Sequence, residues 1–216
     1  MKMKKIISAS LLLFVFFGCS SNNQVLLNLD TAKKLVQHYY ESGEFDKECS
    51  IAIENAKSEI LKLKVNNKSL VVFDIDETAL SNYQHTKEIG FGYVYSLWEK
   101  WLEKADAKAI PETRKFYDWL IKNNIHVAFI SGRYAENYNA TLKNLYDQGY
   151  TKFDTLITRT NLTAKIPAAE WKAIEREKFA RKGYNIIACI GDQWSDMVGG
   201  YTGIKIKLPN YLYIIE

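Results

Sequence analysis

Five short apolar runs punctuate the chain, at residues 70–75, 126–130, 153–157, 186–190 and 204–208, each rich in Val, Ile or Phe. Runs that stay apolar on both alternating faces are strands covered on both sides. Helix-spaced stretches over 111–123, 135–148 and 168–182 separate the first four, opened by Pro111 or closed just before Gly149 and Gly183. This alternation predicts an α/β fold, a doubly wound parallel sheet with right-handed crossovers. At 216 residues with 47% hydrophobic content, the chain can bury one sizeable core.

Two further helices are expected over residues 30–64, broken at Ser42-Gly43 and packed outside the core. The stretch 81–109 interrupts the alternation directly after the first run and carries Tyr83, Phe91, Tyr93, Tyr95, Trp98 and Trp101. It reads as a small cap, because ligands bind beyond the carboxyl ends of such strands and an insertion there roofs the site. Residues 30–216 form one domain on this reading.

Residues 1–18 stand apart. Lys2, Lys4 and Lys5 precede an apolar run that ends at Gly18 and meets Cys19-Ser20-Ser21-Asn22-Asn23. That is the layout of a secretory signal, too short for a membrane span. A small residue before Cys19 and a polar tether over 19–29 resemble the bacterial lipobox, although Phe16 stands where leucine is usual. The resemblance implies lipidation of Cys19 and anchoring without a spanning helix. Ser20 then favours the outer membrane, and the expected location is the periplasm or cell surface.

The net charge of +4 comes from 29 basic and 25 acidic residues. Removing 1–18 takes three lysines, so 26 face 25, a balance of +1 that gives no ground for binding a nucleic acid polymer. Cys49 and Cys189 then remain, without metal-ligand spacing. Two buried free thiols are the preferred reading, and a disulfide in an oxidising compartment stays open.

Asp74 and Asp76 follow Leu70-Val71-Val72-Phe73 at a strand end, so both side chains project to one face. Such a pair reads either as solvated carboxylates or as cation ligands, and its place at a strand terminus favours the second. Gly191-Asp192-Gln193-Trp194-Ser195-Asp196 follows another apolar run and brings two more carboxylates to the same edge. Hard oxygen ligands without a His or Cys cluster suit Mg²⁺ and exclude a zinc site. Ile130-Ser131-Gly132-Arg133 offers a hydroxyl, an approachable backbone N–H and a guanidinium, each suited to a phosphate oxygen.

Asp-Ile-Asp-Glu-Thr, Ser-Gly-Arg, a later lysine and Gly-Asp-Gln-Trp-Ser-Asp, in that order, resemble the four motifs of the haloacid dehalogenase superfamily. The Phe-Asp-Ile-Asp-Glu-Thr and Gly-Asp-Gln-Trp-Ser-Asp wording is similar to the class B type acid phosphatase group that includes plant vegetative storage proteins and bacterial lipoprotein acid phosphatases. Lys165, Lys172, Lys178 and Lys182 all fall in the region of the third motif. The group's spacing, with an arginine four residues on and Gly-Tyr eleven on, is reproduced by Lys172, Arg176, Gly183 and Tyr184.

The resemblance implies an Mg²⁺-dependent phosphomonoesterase with Asp74 as nucleophile and Asp76 as proton donor and acceptor. It implies a cation on the Asp74 and Asp192 carboxylates and the Asp76 carbonyl. Asp196 is expected to support the metal's waters or to orient Lys172. Ser131 and Lys172 are expected on the nonbridging phosphate oxygens. Thr78, Gly132, Arg133 and Tyr83 are the substrate candidates, Tyr83 as a stacking platform for the base of a nucleoside 5′-monophosphate. A phosphotransferase using the same intermediate and a non-catalytic storage or surface protein are the competing readings.

Overall fold

The computed structural model describes residues 26–215, so the 1–18 leader and Cys19 lie outside it. Helix α1, Leu29–Glu41, starts at Asn28, whose side chain accepts the Asp30 N–H at 2.9 Å. Gly43, at φ 87°, makes the left-handed turn into α2, Glu44–Ile60. Phe45, Cys49, Ile53, Ala56 and Ile60 recur every three or four residues and put one buried stripe of α2 on the core.

The chain then runs through β1 (Ser69–Phe73), β2 (Leu80–Ser81), α3 (Tyr83–Glu88), α4 (Tyr95–Lys104), β3 (Lys108–Ala109) and α5 (Pro111–Lys122). It continues through β4 (His126–Tyr134), α6 (Tyr138–Asp147), β5 (Thr155–Arg159), α7 (Ala168–Arg181), β6 (Asn185–Gly191) and β7 (Ile204–Lys207). The main sheet has the order β5-β4-β1-β6-β7, parallel throughout. This is the expected doubly wound α/β fold. All five residues of β1 are buried, with Val71 and Phe73 in one apolar cluster and Leu70 and Val72 in the other. Helices α2, α5 and α6 cover the first face and α7 the second.

The third strand begins two residues later than the apolar run suggests. Phe153 is not in the ladder but packs its ring edge-on against Phe129, 5.1 Å between centroids. The expected helix over 135–148 opens with a single 3-10 turn, Ala135–Asn137. Cys49 and Cys189 are buried, free, and on opposite faces of the sheet. Burial pushes both thiols up to about 12. Among the described residues no helix is long and apolar enough to cross a membrane.

The winding of the sheet reverses between β1, which leads on to β4 on one side, and β6, which leads to β7 on the other. The crevice beyond the carboxyl ends of these two neighbours is where a ligand belongs in an open α/β sheet. Antiparallel β2 and β3 pair Leu80 with Ala109, and the segment between them, with α3 and α4, stands over that crevice as the cap.

Candidate active site

Asp74 and Asp76 leave β1 where the chain turns. The Asp74 N–H still donates to Ile190 O at 2.9 Å, while Thr78, Ala79 and Leu80 all return their N–H groups to Ile75 O. This tight turn fixes the two carboxylates on the crevice side. Asp192 leaves β6 beside them, and Lys172 reaches in from α7. Lys172 Nζ donates to Asp74 Oδ1 at 2.6 Å and to Asp196 Oδ1 at 2.5 Å, with all three side chains at most 8% exposed.

Ligand atoms of Asp74, Asp192 and Asp196 lie within 4.8 Å of one another. Burial raises the Asp74 carboxyl well above its ordinary range even though Lys172 pulls it down. Burial, and then the charges of Asp196 and Glu77, lift Asp192 to about 7. Burial alone lowers the Lys172 ammonium, but the Asp196 and Asp74 carboxylates outweigh it and hold the group protonated. Three dehydrated carboxylates around one ammonium leave uncompensated negative charge, and an all-oxygen donor set of this kind fits a hard divalent cation.

Asp196 is locked from several sides. Its Oδ2 accepts the Gln193 N–H at 2.9 Å, and a Cβ on Gly191 would fall 2.1 Å from that oxygen. Only glycine at 191 leaves room for the carboxylate against the end of β6. Arg176, one turn after Lys172 on α7 and fully buried, donates to the carbonyls of Asp196 (2.8 Å), Gly200 (3.1 Å) and Val198. It staples the loop that carries Asp196.

Asp76 is gripped separately. Arg133 forks it, Nη2 to Oδ1 at 2.7 Å and Nε to both oxygens at 3.1 Å, and Asn82 Nδ2 adds a bond of 2.8 Å. Glu77 follows in the left-handed region, φ 53°, with 1% exposure. A non-glycine residue there costs about 1 kcal/mol and persists because its surroundings determine it. Burial and then the Asp76 charge raise its carboxyl to about 7, against hydrogen bonds from Tyr213 and Asn82.

Asp74, Asp76, Asp192 and Asp196 floor a cavity of about 560 Å³. Its roof is the cap, through Phe91, Tyr93, Tyr95 and Trp98, and its far wall is the segment after β7, through Leu212, Tyr213 and Ile215. With a cation balancing these carboxylates, the Lys172 ammonium would face an anionic group, and the aromatic roof suits an apolar or aromatic organic part.

Residues 7–216 match the model of a family described as HAD superfamily, subfamily IIIB (acid phosphatase). The chain belongs to that family.

Curated relatives of this acid phosphatase family member include the stem 28 kDa glycoprotein of Glycine max, 40% identical over 71% of this chain and 63% of that one. Vegetative storage protein 1 of Arabidopsis thaliana is 34% identical over 83% and 66%. Acid phosphatase 1 of Solanum lycopersicum is 31% identical over 80% and 68%. The chain spans 63%, 53% and 62% of the lengths of the three Glycine max stem glycoproteins it matches. The fold is that of the class C acid phosphatase from Bacillus anthracis, with a TM-score of 0.71, 22% identity and 86% of each chain covered.

The resemblance to the acid phosphatase group that the motifs carry is therefore real, and the structure brings Asp74, Asp76, Lys172, Asp192 and Asp196 to one cavity with Gly132 beside them. The remaining expected residues are placed differently. Ser131 is fully buried under Gly132, its Oγ accepting the Arg133 N–H at 3.1 Å. Thr78 is also fully buried, its hydroxyl 3.4 Å from Asp192 Oδ1, beneath the cavity and out of reach of a substrate. Arg133 lines the cavity, but its guanidinium is engaged by Asp76.

Tyr83 is not in the cavity. Its ring stacks on Tyr40, centroids 4.8 Å apart at 9°, and its hydroxyl donates to Glu41 at 2.8 Å. The aromatic rings of the cap that line the cavity are those of Phe91, Tyr93, Tyr95 and Trp98. Asn82, Glu77, Gln193, Asn210 and Tyr213 were not singled out by sequence, because a polar side chain in a turn has no periodicity to mark it.

Proposed function

We propose that the chain hydrolyses phosphate monoesters, as an acid phosphatase, through an aspartyl-phosphate on Asp74. The observation that carries this reading is the pairing of Asp74 with Lys172 at 2.6 Å on the floor of a capped cavity, with Asp192 in the same cluster.

An Asp74 carboxylate oxygen attacks phosphorus in line with the ester bond, which breaks as Asp76 passes a proton to the leaving oxygen and frees the alcohol. Water then attacks the phosphorus of the aspartyl-phosphate, Asp76 takes a proton from it, and inorganic phosphate leaves Asp74 unchanged. Lys172 faces the nonbridging oxygens, where a loose transition state gathers charge. Asp74, Asp192 and the Asp76 carbonyl, with Asp196 alongside, would hold Mg²⁺, which would offset the repulsion between the anionic nucleophile and the phosphoryl group.

The aromatic roof supports nucleoside 5′-monophosphates as substrates. The lysine-led apolar leader and the Cys19 tether support export and lipid anchoring in the bacterial outer membrane. The similarity to vegetative storage proteins favours a second, non-catalytic reading, against which stands the retained Asp74–Lys172–Asp192 set. A phosphotransferase would share every step up to the arrival of water, and added alcohols that divert phosphate from water would reveal it.

The test is phosphate release from a panel of monophosphates, with Mg²⁺ or EDTA, by the wild type and Asp74→Asn. Release that survives in the D74N protein defeats the proposal.

A further inference from the structure

We infer that the segment 209–215 is a working part of the active site, and that Tyr213 is a positioning residue that aims Asp76 through Glu77 and Asn82. The inference rests on the phosphomonoesterase reading above and concerns residues that reading leaves without a task.

The Asn82 side chain has one possible orientation. Trp101 Nε1, which can only donate, lies 2.8 Å from Asn82 Oδ1, so Nδ2 faces the carboxylates. Its two hydrogens are both used, on Asp76 Oδ1 at 2.8 Å and on Glu77 Oε2 at 3.2 Å. Glu77 therefore holds the group that holds Asp76, and its other oxygen accepts the Asn82 backbone N–H at 2.6 Å. Glu77 is itself secured from across the cavity, because the Tyr213 hydroxyl donates to Oε2 at 2.7 Å.

Tyr213 is fixed in turn by the last motif. Gln193 Nε2 donates to Asp192 Oδ2 at 2.6 Å and to Tyr213 O at 3.4 Å, and Gln193 Oε1 accepts the Ile215 N–H at 3.1 Å. Asn210 Nδ2 donates to the same Asp192 oxygen at 2.6 Å. The segment thus touches both carboxylate groups, Asp192 directly and Asp76 through two intermediates, while Leu212, Tyr213 and Ile215 wall the cavity. Glu77 and Gln193, motif residues with no role in the chemistry, are both engaged by the segment.

Asp76 acts on the leaving oxygen, so its aim matters most where that oxygen most needs a proton. An alkyl phosphate has a poor leaving group and 4-nitrophenyl phosphate a good one. Tyr213→Phe keeps the ring and removes only the bond to Glu77.

The experiment measures kcat/KM of the wild type and Y213F on ethyl phosphate and 4-nitrophenyl phosphate. Misplacing rather than deleting a general acid is expected to cost about tenfold on the alkyl ester and about twofold or less on the aryl ester. The ratio of the two values, taken on one sample, is independent of how much protein is folded, so a partly unfolded variant still gives an answer. An unchanged ratio in Y213F overturns the inference and leaves the phosphatase reading intact. A wild type inactive on both esters overturns that reading and the inference with it.

Discussion

Lys172 Nζ lies 2.6 Å from Asp74 Oδ1, and its second carboxylate partner, Asp196 at 2.5 Å, belongs to a loop stapled from the same helix by Arg176. One face of α7 therefore delivers a cation to the proposed nucleophile and fixes the anion that aims it.

Replacing Lys172 with alanine removes the cation from two buried carboxylates at once. Losing one partner of a buried pair costs about 3–5 kcal/mol, and losing a transition-state charge contact costs about 100-fold or more in rate. Lys172→Ala is expected to melt lower than the wild type and to lose kcat/KM by at least that factor. Added Mg²⁺ should restore part of the stability but not the rate, which calorimetry and a phosphate assay together would show.

Asp192 sits near 3.8 in an unfolded chain and is lifted to about 7 here, and Glu77 is raised from 4.5 to about 7. Between those limits the folded state holds protons that the unfolded state has lost, so metal-free stability falls as pH rises from about 4 to about 7 and levels off above. Moving one carboxyl over that span is worth up to about 4 kcal/mol. Thermal melting in EDTA should show a melting temperature that drops across this window. In Mg²⁺ the drop should flatten, since a cation favours the ionised carboxylates. A metal-free melting temperature that climbs with pH would contradict the charge balance described.

The parts of the site that were legible in sequence are those that follow a strand directly. Asp74 and Asp192 each stand directly after the last residue of a buried strand, Phe73 and Gly191, so the strand that places them also announces them. Lys172 and Arg176 were legible through the family resemblance, whose spacing of an arginine four residues on and Gly-Tyr eleven on they reproduce. Contacts made across the fold were not legible. Glu77 and Tyr213 are 136 residues apart, and nothing local to either implies the other. Tyr83 shows the converse error, since closeness to Asp76 in sequence does not decide direction and α3 turns the ring away to Tyr40. The bulge between Ile130 and Tyr134 that sets Arg133 onto Asp76 is likewise a product of pairing with β5.

Gly191 gives a test that separates steric from chemical roles. A methyl group there would meet Asp196 Oδ2 at 2.1 Å, a distance no packing tolerates, so Gly191→Ala must move the carboxylate and release its hold on Lys172. Overpacking of this kind costs about 1–3 kcal/mol. The G191A protein should lose stability by that amount and lose activity although no catalytic group has changed. The Asp196 Cγ and Cβ would lie 2.4 and 2.5 Å from that methyl group as well, so it takes an Asp196→Gly background to remove all three atoms, and there adding G191A should cost less stability than it does in the wild type. Residues in contact are non-additive by about 0.5–3 kcal/mol, and a double-mutant cycle on denaturant midpoints reads that coupling directly. Full additivity of the two substitutions would mean that Asp196 does not occupy the space that glycine leaves.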